Sequence, residues 1–168
     1  MSEVTYELDP VGIISVLNRH GVEYVIIGGL AAVLHGSPYN TQDADVTPAP
    51  GRENLARLAS ALIDLDARLR VPNEPEGIPF DRSAEALEKA SIWNFVTNCG
   101  MFDLSFRPSG TQGYEDLNRD AEYRQLGSEV ARLASLADVV RSKEAAARGK
   151  DLAVLPTLRA LLERQERG

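Results

Sequence analysis

The spacing of apolar residues changes several times along the chain, and each change marks an element. Ile13, Ile14, Val16 and Leu17 recur at helical spacing. Asp9 and Pro10 stand before them as a cap and a first helical residue, and Gly21 follows as a stop. Residues 22–27 are rich in β-branched side chains and read as a buried strand, punctuated by Gly28-Gly29. Residues 30–35 predict a short helix halted by Gly36, Ser37 and Pro38. Residues 43–47 predict a second strand, ended by Pro48 and Pro50. Across 52–70, Leu55, Leu58, Ala59, Leu62 and Leu65 line one helical face. Residues 71–83, with Pro72, Pro75, Pro79 and Gly77, predict a loop. Residues 92–96 and 101–106 alternate about Asn98-Cys99-Gly100 and predict a hairpin. A loop at 110–113 and a short strand at 129–134 follow, then helices over 136–147 and 151–166 divided by Arg148-Gly149-Lys150.

This order predicts an α/β (α+β) fold: a small mixed β-sheet core flanked by helices, with a C-terminal helical extension. The expected division is a core over 1–107 and a mainly helical extension over 108–168 packed on it. A chain of 168 residues is of single-domain size. Trp93 and Phe95 are expected in the core, and His20 and His35, at helix ends, in structural roles. Cys99 sits in a turn without the basic neighbours that activate a thiol.

Two glycines after a strand let backbone approach a ligand closely, and their amides with the next helix N-terminus make a phosphate cradle. After a spacer of thirteen residues comes Asp43-Ala44-Asp45. Alternate strand residues share a face, so these carboxylates project together and repel unless a cation lies between them. Mg²⁺ favours a few carboxylates plus phosphate oxygens. Asp103 lies within Phe102-Asp103-Leu104-Ser105-Phe106, where a lone acid is costly unless it is paired or bound to metal. If that strand lies beside 43–47, three carboxylates can hold two metals.

Gly28-Gly29 with Asp43-x-Asp45 and a later strand Asp resembles the polymerase-β-like nucleotidyltransferase superfamily. The stretch Ser142-Lys143-Glu144-Ala145-Ala146 with Arg148-Gly149-Lys150-Asp151-Leu152 is similar to the C-terminal helices of its AbiEii/MenT-like toxin members. The resemblance covers roughly 20–47, 92–106 and 136–160. It implies a minimal nucleotidyltransferase fold and Mg²⁺-dependent transfer of a nucleoside monophosphate from an NTP to a hydroxyl, with Mn²⁺ as the alternative ion. It implies that Asp43, Asp45 and Asp103 are the catalytic metal ligands, and that Asp103 also helps activate the acceptor hydroxyl. Gly28, Gly29 and Thr41 would contact the triphosphate, Lys143 would neutralise phosphate charge, and Asp151 with Lys150 would be a structural or nucleotide-side partner. Two positions depart from the family pattern: Gly29 stands where many members have Ser, and Tyr39 where relatives have Arg.

The role the resemblance implies is a toxin of a toxin–antitoxin pair, with the tRNA 3′ end as acceptor and a cognate antitoxin as partner. The alternatives are transfer to a small molecule such as an antibiotic, and a non-catalytic nucleotide-binding partner protein. Charge bears on this choice. The formal net charge is −7, which weighs against generic nucleic-acid binding and against DNA-specific binding. Residues 1–80 carry net −6, whereas 132–168 carry net +3 and hold two of the three lysines, so phosphate binding is to be sought in the tail. A single cysteine excludes an internal disulfide and fits a reducing, cytoplasmic setting, and with two histidines a transition-metal site is not expected. No apolar run reaches the roughly 20 residues of a membrane helix, and MSEVTYELDP lacks the pattern of a signal peptide, so no membrane association is expected.

Overall fold

The computed structural model describes residues 7–168, so most of the N-terminal stretch read for a signal peptide lies outside the described residues. No helix among the described residues is long and apolar enough to cross a membrane. The elements are α1 (Pro10–Arg19), β1 (Tyr24–Ile27), α2 (Gly28–Leu34), β2 (Asp43–Pro48), α3 (Arg52–Asp64), β3 (Arg68–Val71), β4 (Glu74–Ile78), α4 (Ala84–Leu87), β5 (Ile92–Thr97), β6 (Gly100–Ser105), α5 (Tyr114–Arg119), β7 (Glu122–Leu126), β8 (Glu129–Leu133), α6 (Leu136–Ala146) and α7 (Gly149–Arg167).

All eight strands form one mixed sheet in the order β4-β3-β5-β6-β2-β1-β8-β7. Strand β2 lies at its middle, antiparallel to β1 and parallel to β6. Strand β8 adds to β1 in parallel, so the segment beyond residue 107 shares the sheet as well as the core. The mixed sheet with flanking helices and a helical C-terminus is the architecture that the apolar pattern predicts.

Alternation along the central strands builds the core. Ala44, Val46, Phe102 and Leu104 point to one face and are fully buried, as is Phe95 on β5. Ile13, Ile14 and Leu17 of α1 and Leu55, Leu58 and Leu62 of α3 close over the core. Trp93 is half-buried, and its ring stacks on Phe95 at 6.1 Å. His35 bonds through Nε2 to the Ala134 carbonyl at 2.8 Å, and His20 pairs with Asp64.

Five stretches differ from the expectation. Helix α3 stops at Asp64 rather than running to 70, because Asp66 takes a left-handed conformation at φ 49° and turns the chain. Residues 71–83 hold the rest of a hairpin rather than a loop: Asn73 at φ 65° supplies the turn between β3 and β4. Pro75 is tolerated because β4 is the edge of the sheet, where a missing N–H costs no ladder bond. Strand β7 and the short helices α4 and α5 also go beyond the predicted elements. Residues 122–126 alternate half-buried with exposed at the opposite sheet edge and so lack an apolar stripe.

Truncating Phe102 tests the central packing. Phe102→Ala is expected to cost about 3–5 kcal/mol, read as a lower urea midpoint at unchanged slope.

Candidate active site

The parallel pairing of β2 with β6 sets Asp45 directly beside Asp103 and places Asp43 one step away on the same face. One carboxylate oxygen from each of Asp43, Asp45 and Asp103 lies within 4.8 Å of the others. Burial, then repulsion from Asp43 and Asp103, pushes the Asp45 pKa up to about 8 against a pull from Lys150. Burial also raises Asp103, to about 6, opposed by Arg70 and reinforced by Asp43. Three hard oxygen donors crowded this closely suit a divalent cation such as Mg²⁺ or Mn²⁺.

Gly28 follows β1 directly and has φ +66°, and a Cβ there would lie 2.4 Å from Asp45 Oδ2. Glycine is therefore required both by the backbone and by the carboxylate it faces. At Gly29 a Cβ would meet Thr41 Oγ1 at 2.8 Å. The Thr41 hydroxyl thus fills the space where a residue-29 side chain would begin. It donates to the Asp43 carbonyl at 2.9 Å and lies 3.4 Å from Asp43 Oδ1. Tyr39 is half exposed beside it and lines the same cleft.

The α6–α7 junction faces the carboxylates with cations. Asp151 is fully buried at the third residue of α7, where its carboxylate caps the helix by accepting the Arg148 N–H at 3.1 Å. Arg148 Nε donates to the same oxygen at 2.8 Å, and Lys143 Nζ stands 3.4 Å from the other. Burial works to raise the Asp151 pKa, but the Arg148 hydrogen bonds and the charges of Arg148 and Lys143 outweigh it and hold the carboxyl below its ordinary range. Lys150 lies one residue away and lines both clefts described next.

Two clefts open from the carboxylates. One, of about 310 Å³, runs past Gly28, Gly29 and Thr41 to Lys143, Arg148 and Lys150. The other, of about 350 Å³, runs over Asp103 to Asn94, Ser105, Arg107 and Asp138. The first gathers backbone amides and cations as a polyanion requires, and the second offers a polar chamber against the third carboxylate.

No family profile matches the chain, and no characterised protein matches it in sequence. Solved structures do match. The lincomycin-bound crystal structure of the lincosamide antibiotic adenylyltransferase LnuA superposes with a TM-score of 0.60 at 13% identity, covering 92% of this chain and 99% of LnuA. The solution structure of the antibiotic-resistance factor ANT(2″)-Ia gives 0.54 at 13%, covering 92% of this chain and 89% of that one. A Thermotoga maritima protein provisionally assigned as a nucleotidyltransferase gives 0.52 at 15%, covering 92% and 90%. The chain has the nucleotidyltransferase fold. Within that fold, all the residues singled out in the sequence come to one region: Asp43, Asp45 and Asp103 at its centre, Gly28, Gly29 and Thr41 on one side, and Lys143, Lys150 and Asp151 across the cleft.

The sequence motifs assign no site role to Arg70, Arg148, Asn94 or Asp138, which the fold brings to the same clefts or to Asp103. Arg148 stands between helices in a run read as a spacer, next to residues that were singled out. Asn94 shares a strand face with Asp103 through the β5–β6 pairing, a relation visible once the hairpin register is known. Arg70 lies on β3, within a stretch read as the end of a helix.

Two outcomes are expected of the site. Gly28→Ala is expected to lower stability by about 1–2 kcal/mol through its positive φ, and to weaken Mn²⁺ binding by displacing Asp45, measured by urea unfolding and by titration of the ion. Asp45 also makes the metal-free protein pH-sensitive. Its pKa is raised in the folded state, so the folded protein holds the proton more tightly, and stability is lost as pH rises from the ordinary carboxylate value of 3.8 through about 8. In EDTA, the melting temperature is expected to fall between pH 5 and pH 8, with a visibly smaller fall in Asp45→Asn.

Proposed function

We propose that the chain is a nucleotidyltransferase that moves a nucleoside monophosphate from an NTP to a hydroxyl group of a small molecule. The observation that carries this reading is the convergence of three carboxylates from adjacent strands, faced by the cations of the α6–α7 junction across a glycine-lined cleft. Asp43 and Asp45, with Asp103 beside them, would hold Mg²⁺, which supplies neutralising charge to the phosphates and to the leaving pyrophosphate.

The residues divide the work. Gly28 and Gly29 let the triphosphate approach the backbone, with the Thr41 hydroxyl beside Gly29 doing the work that a serine at 29 does in relatives. Lys143 and Lys150 meet phosphate charge as compact ammonium groups. Asp151 acts through Lys143 and Arg148, which it ties to the start of α7. Asp103, between the carboxylate cluster and the second cleft, accepts the proton of the attacking hydroxyl. Rate enhancement in such a site comes mainly from positioning and charge neutralisation.

A small acceptor is favoured by two observations. The cleft beside Asp103 is about 350 Å³ and sets Asp103 and Asp138 against Arg107 and Lys150, a size and mixed polarity suited to a compact, hydroxylated compound. LnuA, which matches along nearly its full length, is a lincosamide antibiotic adenylyltransferase, and ANT(2″)-Ia is an antibiotic-resistance factor. The second reading is a toxin that modifies the tRNA 3′ end. It is favoured by the net +3 of residues 132–168, but it needs phosphate contacts beyond those the triphosphate would occupy.

The test is incubation with Mg²⁺, each of the four NTPs, and in parallel a panel of hydroxylated amines and total tRNA. The expected outcome is pyrophosphate release and a mass gain of one nucleoside monophosphate on a small acceptor, lost in Asp43→Asn. Labelling of tRNA that weakens steeply with salt would move the assignment to the second reading. Nucleotide binding without transfer to either acceptor class would sink both.

A further inference from the structure

The fold treats the three carboxylates unequally. Among the described residues, ion pairing reaches Asp103 but neither Asp43 nor Asp45. The Arg70 guanidinium stands 3.0 Å from Asp103 Oδ1 and donates to Oδ2 at 3.2 Å. Oδ1 is sealed from solvent and has no aligned hydrogen-bond donor, so its charge is met by the proximity of the guanidinium. Arg70 reaches this position from two strands away. Leu69 pairs with Phe95 and Asn94 pairs with Asp103, which puts Arg70, Asn94 and Asp103 on the same sheet face. The side chain crosses β5, where Nη1 donates to the Phe95 carbonyl at 3.4 Å. It is about two-thirds buried, so the cation is held in place by its surroundings. The other cations near the cluster are differently placed: Lys143 and Arg148 are tied to Asp151, and Lys150 lines both clefts without an ion pair to any of the three carboxylates.

We propose that Arg70 is a fixed cation standing in for a second divalent ion on the Asp103 side of the cluster, so that the resting site loads one ion, through Asp43 and Asp45. This rests on the reading of the carboxylates as a metal site. A guanidinium this close to Asp103 repels an incoming divalent ion, and its hydrogen bond occupies a lone pair of Oδ2 that the ion would use. Arg70 is thus a positioning residue. It holds Asp103 in one orientation with part of its charge offset, and leaves the carboxylate facing the acceptor cleft. Only an arginine or lysine at this position supplies the charge, and only a side chain of comparable length spans β5.

The test is a titration of the full chain with Mn²⁺ at fixed pH, in the absence of nucleotide, with free Mn²⁺ followed by its electron paramagnetic resonance signal. Wild type is expected to bind one Mn²⁺, and Asp45→Asn to lose it. Arg70→Ala and Arg70→Gln are expected to take up a second Mn²⁺, or to bind the first about tenfold tighter or more, as loss of a like charge a few ångströms away requires. Arg70→Lys is expected to keep the wild-type stoichiometry. Arg70→Gln retains a polar head and most of the length, so it carries the test if Arg70→Ala does not fold, and thermal melts establish which variants are folded. Two ions on wild type, or Arg70→Ala and Arg70→Gln titrating as wild type while Asp45→Asn has lost the ion, would overturn the role of Arg70 and leave the metal site standing. Absence of Mn²⁺ binding in wild type and in every variant would overturn the metal site and this inference together.

Discussion

Mutual repulsion of carboxylates forced into register is the constraint on which the rest of this structure depends. Parallel pairing of β2 and β6 places Asp45 against Asp103, and strand parity brings Asp43 to the same face. Neither pairing can slip to relieve the repulsion, because a one-residue shift would turn Val46, Phe102 and Leu104 out of the core. Core packing therefore holds together charges that would otherwise separate. The molecule is left with an appetite for cations at one point, and its surroundings can be understood as answers to that appetite.

Those answers come from different parts of the chain and act at different distances. Arg70 approaches from the β3–β4 hairpin and touches Asp103. Lys150 pulls on Asp45 from the start of α7 without pairing with it. Lys143 and Arg148 are held by Asp151, which as a buried carboxylate would be costly alone but is satisfied by two cations and a backbone N–H. The effect is to present positive charge across the cleft from negative charge without letting the two collapse together. This separation of charge is what the proposed nucleotide–metal ligand would need, anion toward the lysines and cation toward the aspartates.

The parts of this site that could be read in the sequence are those whose signal is local. Gly28-Gly29 after an apolar strand, the alternation of Asp43 and Asp45, and an acid inside the apolar run of β6 each stand out within a few residues. The strand order that joins them follows from no local cue, yet only a sheet with those two strands adjacent explains Asp103. Arg70 could not be read, because Leu62, Leu65 and Leu69 continue the helical spacing of α3. The break is made by Asp66, a residue without the turn signature of glycine. The β3–β4 hairpin was hidden by Pro75, which usually argues against a strand but is admissible at a sheet edge. Strand β7 and helices α4 and α5 were hidden by brevity and by half-exposed alternation rather than by any contrary signal.

The pairing of β1 with β8 has a consequence for how the molecule comes into being. The aspartates of β2 and the glycines beside them leave the ribosome long before β8, α6 and α7, whose cations face them. A nascent chain thus gathers its negative charge first, against an uncovered edge of β1 and with no lysines opposite. Closure of the sheet at β8 and delivery of the α6–α7 junction are contacts of large sequence separation, the slow kind in folding. The cations that face the carboxylates therefore arrive only with α6 and α7, so a product cut short before α6 would carry the carboxylates without the lysines opposite them.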